Sequence, residues 1–202
     1  MLVSPERSSL IHPVGSVLDA IGNRRNYSAK RLVYPGPTPA QIDEIFETAA
    51  SAPDHRCETP WRFVLIHEEK RHFLAKAFAS ALLERDSKAS AEDLAKSKEK
   101  AFNSPFLALA ICKQDKSSGV ITNSERLISL GCAIQNILIS ATALGFGSGL
   151  TSGKSMTSSS VRDLFKINES EACICFINIG TVSSASKVTR IRPSVRSFIS
   201  SL

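Results

Sequence analysis

The sequence predicts a fold that mixes helices with a buried sheet, in a single domain spanning residues 1–202. Three observations carry this expectation. Apolar runs of strand length at residues 62–67, 106–112 and 172–179 have the continuous Val, Ile, Leu and Phe character of strands covered on both faces. Between them lie longer stretches whose apolar residues recur at helical spacing. A chain of 202 residues, 43% hydrophobic and 22% charged, can build one sizeable core, and no shift in composition forces a second.

Residues 1–13 carry Glu6 and Arg7 and no long apolar stretch, so they read as an arm, frayed or lying against a partner, and not as a secretion signal. Residues 14–22 put Val17, Leu18 and Ile21 on one face of a short helix ended by Gly22. Thr38-Pro39-Ala40-Gln41 is a capping box with proline at the first helical position, and the helix it starts runs to Ser51. Pro53 ends it, because the residue before a proline avoids helical angles. The first strand follows at 62–67. An amphipathic helix spans 68–85, with Phe73, Leu74, Ala77, Phe78, Ala81 and Leu82 inward. Residues 86–100 are charged or small, a solvated helix or a mobile excursion.

After the strand at 106–112, residues 113–124 read as a polar loop. Residues 124–144 form the longest and most apolar helix, in which Gly131, Ala133 and Ala143 keep the profile thin. A helix apolar all round is buried all round, which points to a central place and a homodimer contact. Four glycines within residues 145–153 read as a backbone-rich loop. A short helix at 158–165 and the strand at 172–179 complete the core. Residues 183–202 hold Ile191, Val195, Phe198 and Ile199 without a clear period, as expected for a tail docked on a partner subunit.

Composition narrows the function classes. No uninterrupted apolar run reaches the roughly 20 residues that cross a bilayer, so no membrane role is expected. The net charge of +6 is mild, and Lys and Arg do not cluster with aromatics as nucleic-acid binding requires. A small anionic ligand, such as a phosphate-bearing cofactor, suits the balance better. Five cysteines show no C-x-x-C pair and no metal-like alternation with histidine, which favours reduced thiols, a cytoplasmic location and no metal site.

The chemistry-bearing stretches are few. Residues 52–63 join a helix to a strand, yet hold two prolines, His55, two arginines, two carboxylates and the only tryptophan. That is far more than a connection needs, and such loops are where binding sites lie. Trp61, between Pro60 and the strand, reads as the loop's packing anchor. Arg24 and Arg25 directly follow a helix and cannot both point into a core, so at least one is available to an anion. The glycine loop is neither a Walker loop nor a G-x-G-x-x-G turn.

In order along the chain, Asn23-Arg24-Arg25-Asn26, Ala52-Pro53-Asp54-His55, Pro60-Trp61-Arg62-Phe63, Gly131-Cys132-Ala133-Ile134-Gln135-Asn136, Gly145-Phe146-Gly147, Ser152-Gly153 and Gly180-Thr181 resemble the FMN-dependent nitroreductase family, and within it a small subgroup with an Ala-Pro-Asp-His loop. The resemblance covers about residues 14–182. It implies an α+β fold, with a mostly antiparallel sheet flanked by helices, in an intertwined homodimer that holds two FMN molecules at its interface. It implies that Arg24, Arg25 and Asn26 hold the phosphate and ribityl chain. Ser51 and His55 are implied to lie near the cofactor from the same or the partner subunit. Gly149, Leu150, Thr151, Ser152 and Gly153 would face the isoalloxazine, with a backbone N–H near Gly149 or Leu150 aimed at N5.

The implied activity is ping-pong transfer from NAD(P)H to nitroaromatics, quinones or related electron-poor acceptors, with FMN carrying the chemistry and no catalytic side chain required. Two departures stand out. Asn26 replaces the family's usual serine, and Leu150-Thr151 replaces the subgroup's frequent Trp-Arg pair. The second motivates an alternative, a non-catalytic FMN-binding homodimer that buffers or senses flavin. A flavin-free homodimeric scaffold is a third reading.

Overall fold

The computed structural model describes residues 17–115, 120–183 and 192–202. The expected N-terminal arm and the first part of the tail lie outside the described residues. Five strands form one sheet: β1 (Leu32–Val33), β2 (Trp61–Leu65), β3 (Phe106–Lys113), β4 (Gly147–Thr151) and β5 (Glu171–Val182). The order is β1-β5-β3-β2, β4 also pairs with β5, and every pairing is antiparallel. The helices are α1 (Val17–Asn23), α2 (Pro39–Glu47), α3 (Arg71–Arg85), α4 (Ala91–Glu99), α5 (Asn123–Ala143) and α6 (Ser159–Leu164). The class is α+β, as expected.

Strand alternation sorts side chains into two cores. Phe106, Ala108, Ala110 and Cys112 of β3 pack with α2, α5 and Trp61, while Leu107, Leu109 and Ile111 pack with α3 and α6 on the other face. A register shift beside Ala110 and Ile111 leaves Ile174 of β5 without its own partner, so Cys175 and Cys173 fall in opposite cores although two residues apart. Burial raises both thiols, Cys175 to about 11.

Several expectations change in the folded chain. The glycine stretch is a strand, because β5 supplies a ladder partner for residues 147–151. Residues 86–100 resolve into α4, whose N-cap Ser90 accepts from the Asp93 N–H. The polar loop ends earlier than expected, since Thr122 and Glu125 form a capping box that starts α5 at Asn123. Phe73 is exposed although its neighbours Leu74, Ala77 and Phe78 are buried.

α5 is long and apolar enough, by length and composition only, to cross a membrane. Here it packs as a core helix, with Leu130, Ala133, Ile134, Ile137 and Ala141 against the sheet. It is not buried all round: Leu127 and Ile128 are exposed, as are Val17, Leu18 and Ile21 on α1, which packs beside it.

Candidate functional site

Two segments far apart in sequence are joined at Asn26. Its backbone bridges in parallel to Ser148, the Tyr27 N–H donates to the Ser148 carbonyl at 2.9 Å, and the Leu150 N–H donates to Asn26 Oδ1 at 3.3 Å. The close approach depends on Gly149, where a Cβ would lie 2.0 Å from the Tyr27 carbonyl oxygen. Behind the strand, Asn178 is 2% exposed; its amide nitrogen donates to the Gly149 carbonyl and to the Thr151 hydroxyl, and its oxygen accepts from Ser104. This satisfied buried amide ties β4 to the start of β3. Ser152 and Gly153 continue beyond the strand, exposed, with Gly153 at φ 138.

Arginine collects at the other side of this joint. The Gly22 carbonyl near the end of α1 accepts from Arg25 Nη1 at 2.9 Å and from Arg192 Nη2 at 2.7 Å. A helix C-terminus carries partial negative charge, which holds cations there. Arg24, half-buried, precedes Arg25 in the chain, and its N–H continues the helix to Ala20. Two guanidinium groups on one carbonyl make a local positive field, with Asn26 following in the chain. Arg192 was not among the residues nominated from the sequence.

Ser51 and His55 are elsewhere. Ser51 ends a short 3-10 turn after α2. His55 Nδ1 lies 3.1 Å from Glu125 Oε1, in the first turn of α5. Glu58 pairs with Arg126 at 2.6 Å, so a hydrogen bond and an ion pair clamp the loop to that turn. The loop is strained, with Arg56, Cys57 and Thr59 at φ 62, 55 and 44. Glu125 is held down to about 2, chiefly by the Thr122 backbone N–H, then by the Thr122 hydroxyl and His55. Trp61 is 8% exposed and packs into the core beside Ala52, as the loop anchor it was expected to be. His55 therefore sits by the first turn of α5, the turn that carries Ser51 is bonded through Thr48 to Asn136 and Ser140 further along it, and the Arg24–Asn26 group lies by the strand that follows its last turn.

The profile of the Nitroreductase family matches residues 24–181, most of the chain. The chain belongs to the nitroreductase family. An Escherichia coli K12 protein named "Putative NAD(P)H nitroreductase YdjA" is 34% identical over 167 residues, covering 81% of this chain and 87% of that protein. Among solved structures, a nitroreductase-like family protein of Bacillus cereus aligns with a TM-score of 0.78 at 18% identity, over 93% of this chain and 96% of that one. A nitroreductase with bound FMN from Bacteroides fragilis aligns at 0.70 and 18% identity, over 92% and 98%.

In this chain the Leu150 N–H donates to Asn26, and strand alternation turns the Gly149 N–H to the opposite edge, toward β5. The next N–H on the Leu150 edge belongs to Ser152. The Thr151 hydroxyl accepts from the Asn178 amide. Leu150 is 38% exposed.

Proposed function

We propose that this nitroreductase-family chain is an FMN-dependent NAD(P)H oxidoreductase, working as a cytoplasmic homodimer on electron-poor small molecules. The observation that carries the reading is the meeting of Arg25 and Arg192 at the Gly22 carbonyl, with Arg24 adjacent in the chain, beside the Asn26–β4 joint. That set fits the cofactor: guanidinium forks for its phosphate, an amide for the ribityl hydroxyls and an exposed strand end for the ring. When bound, FMN supplies hydride acceptance from NAD(P)H and electron delivery to nitroaromatics, quinones or activated alkenes in a ping-pong cycle. Among this chain's own groups, the Ser152 N–H is the candidate backbone donor to the ring. His55, its Nδ1 held by Glu125, is a pocket contact with no proton-transfer duty.

The dimer reading rests on the separation of the two groups. α5 has 21 residues, about 30 Å of helix, between the turn that holds His55 and the turn that leads to β4. Pairing α5 antiparallel with its copy about a two-fold axis brings the partner subunit's His55 toward Asn26 and Leu150. Such pairing also covers Leu127, Ile128 and the exposed face of α1. Gly131 tests it. A Cβ there meets nothing within 4 Å in one chain, so Gly131→Ala would stabilise an isolated chain by about 0.5–1 kcal/mol. If a second backbone packs there, the substitution lowers the melting temperature and weakens the dimer in light scattering. A stabilised variant, or an FMN-loaded monomer, contradicts the arrangement.

The activity is tested by anaerobic stopped flow of the FMN-loaded protein. NADPH or NADH is expected to bleach the flavin absorbance. Bleaching by neither donor sinks the reductase reading and favours the alternative, a non-catalytic FMN-binding homodimer, which the Leu150–Thr151 departure motivates. For the phosphate assignment, Arg24→Ala is expected to weaken FMN binding by about 1–3 kcal/mol, the scale of a charged hydrogen bond, in a fluorescence titration. Unchanged affinity removes Arg24 from the site.

A further inference from the structure

A second cavity, of about 240 Å³, opens on the α3 face of the sheet, away from the arginines at α1. Its floor is apolar and built of buried side chains, chiefly Phe78, Leu107 and Phe176, which are 7%, 3% and 3% exposed. Its rim carries Arg85, Lys100 and Lys154, and no carboxylate lines it. Among the described residues none of these three cations makes an ion pair; Arg85 donates only to the Ala81 carbonyl of its own helix. Arg85 and Lys100 also border a wider cleft, but there Asp86, Glu92, Asp93 and Glu99 balance Lys30, Lys96, Arg85 and Lys100, four charges against four. The smaller cavity sets cations, with no carboxylate in its own lining, around an apolar floor.

We propose that this cavity is a binding site for a small carboxylate with an aromatic or aliphatic body. Ligand sites pair an apolar lining with a few placed polar groups, and drug-sized ligands use roughly 300–1,000 Å³. A cavity below that range takes a single-ring molecule. The ring displaces water from the Phe78, Leu107 and Phe176 floor, and the carboxylate meets the Arg85 fork and the Lys100 ammonium at the rim. A neutral isostere gains the first contact and not the second, so charge is the discriminating feature. The residues at the end of β4, Thr151 to Gly153, form one wall. They also belong to the candidate flavin site, but the three cations do not, and the inference stands without the flavin reading.

The test is isothermal titration of the purified full-length protein with benzoate and with benzamide, in the presence and absence of added FMN. Benzoate is expected to bind in both conditions, at least about tenfold more tightly than benzamide, and Arg85→Gln/Lys100→Gln to lose about tenfold or more. Both residues are exposed, so the double variant is expected to keep the wild-type melting temperature. Lys154→Gln is a second, independent variant and is expected to weaken benzoate several-fold. Absence of benzoate binding, equal binding of benzamide, or affinity indifferent to these substitutions overturns the proposal. Competition between benzoate and FMN overturns it too, by assigning the anion to the flavin site. A protein that binds benzoate but no FMN leaves this site standing and removes the flavin reading instead.

Discussion

Gly149→Ala is expected to cost about 2–3 kcal/mol of stability and to deplete the purified protein of flavin. The new Cβ would lie 2.0 Å from the Tyr27 oxygen, with the Tyr27 carbonyl carbon at 3.1 Å and its nitrogen at 3.4 Å. All three are backbone atoms, so no side chain can swing away. Overpacking costs roughly 1–3 kcal/mol, and alanine recovers up to about 1 kcal/mol through its less flexible unfolded chain. The backbone clash places the sum near the upper end. Relief requires β4 to part from residues 26–27, which breaks the Tyr27–Ser148 and Leu150–Asn26 hydrogen bonds. The two halves of the proposed flavin site then lose their registration. Urea unfolding and the ratio of flavin to protein absorbance check both effects, and a variant with wild-type values in each would mean that the Tyr27 segment is free to shift.

The second large effect concerns Arg71, 3% exposed in the first turn of α3. A cation is unfavourable at a helix N-terminus, so something else must hold it there. Its Nε donates to the Ile66 carbonyl at 2.9 Å, Nη1 to Ala101 at 2.7 Å and Ser104 at 3.2 Å, and Nη2 to Pro105 at 3.1 Å. One guanidinium thus ties the end of β2 to the segment entering β3. Burial lowers its basicity, and the nearby Tyr34 and Glu68 oppose that shift. Arg71→Met keeps much of the volume but strands four carbonyls. We expect a loss of about 3–5 kcal/mol, a large part of the roughly 5–15 kcal/mol that holds a domain together. Arg71→Lys should recover less than half, because an ammonium cannot reach four carbonyls in three directions. A loss below about 1 kcal/mol in urea unfolding would mean that water replaces the guanidinium.

Much of the fold was legible in the sequence. β3 announces itself as seven apolar residues after Pro105, and Thr38-Pro39-Ala40-Gln41 fixes the start of α2 through side-chain to backbone bonds that are local by nature. β4 was not legible. Gly147, Ser148 and Gly149 have poor strand propensity, and only the ladder offered by β5 makes residues 147–151 extended. In the sequence Arg71 is one of many charged residues in residues 68–85, and Asn178 is a polar residue within an apolar run. Both acquire their roles from partners some thirty or more residues away.

The candidate site divides in the same way. Motif order along the chain was enough to identify the family and to nominate Arg24, Arg25 and Asn26, because residue type and spacing are written in the sequence. Tertiary structure alone brought Arg192 to the Gly22 carbonyl, engaged the Leu150 N–H with Asn26, and set His55 at the far end of α5. The physical reason is that such contacts join segments up to 170 positions apart, and which donor meets which acceptor is decided by how the layers pack, not by any local preference of the chain.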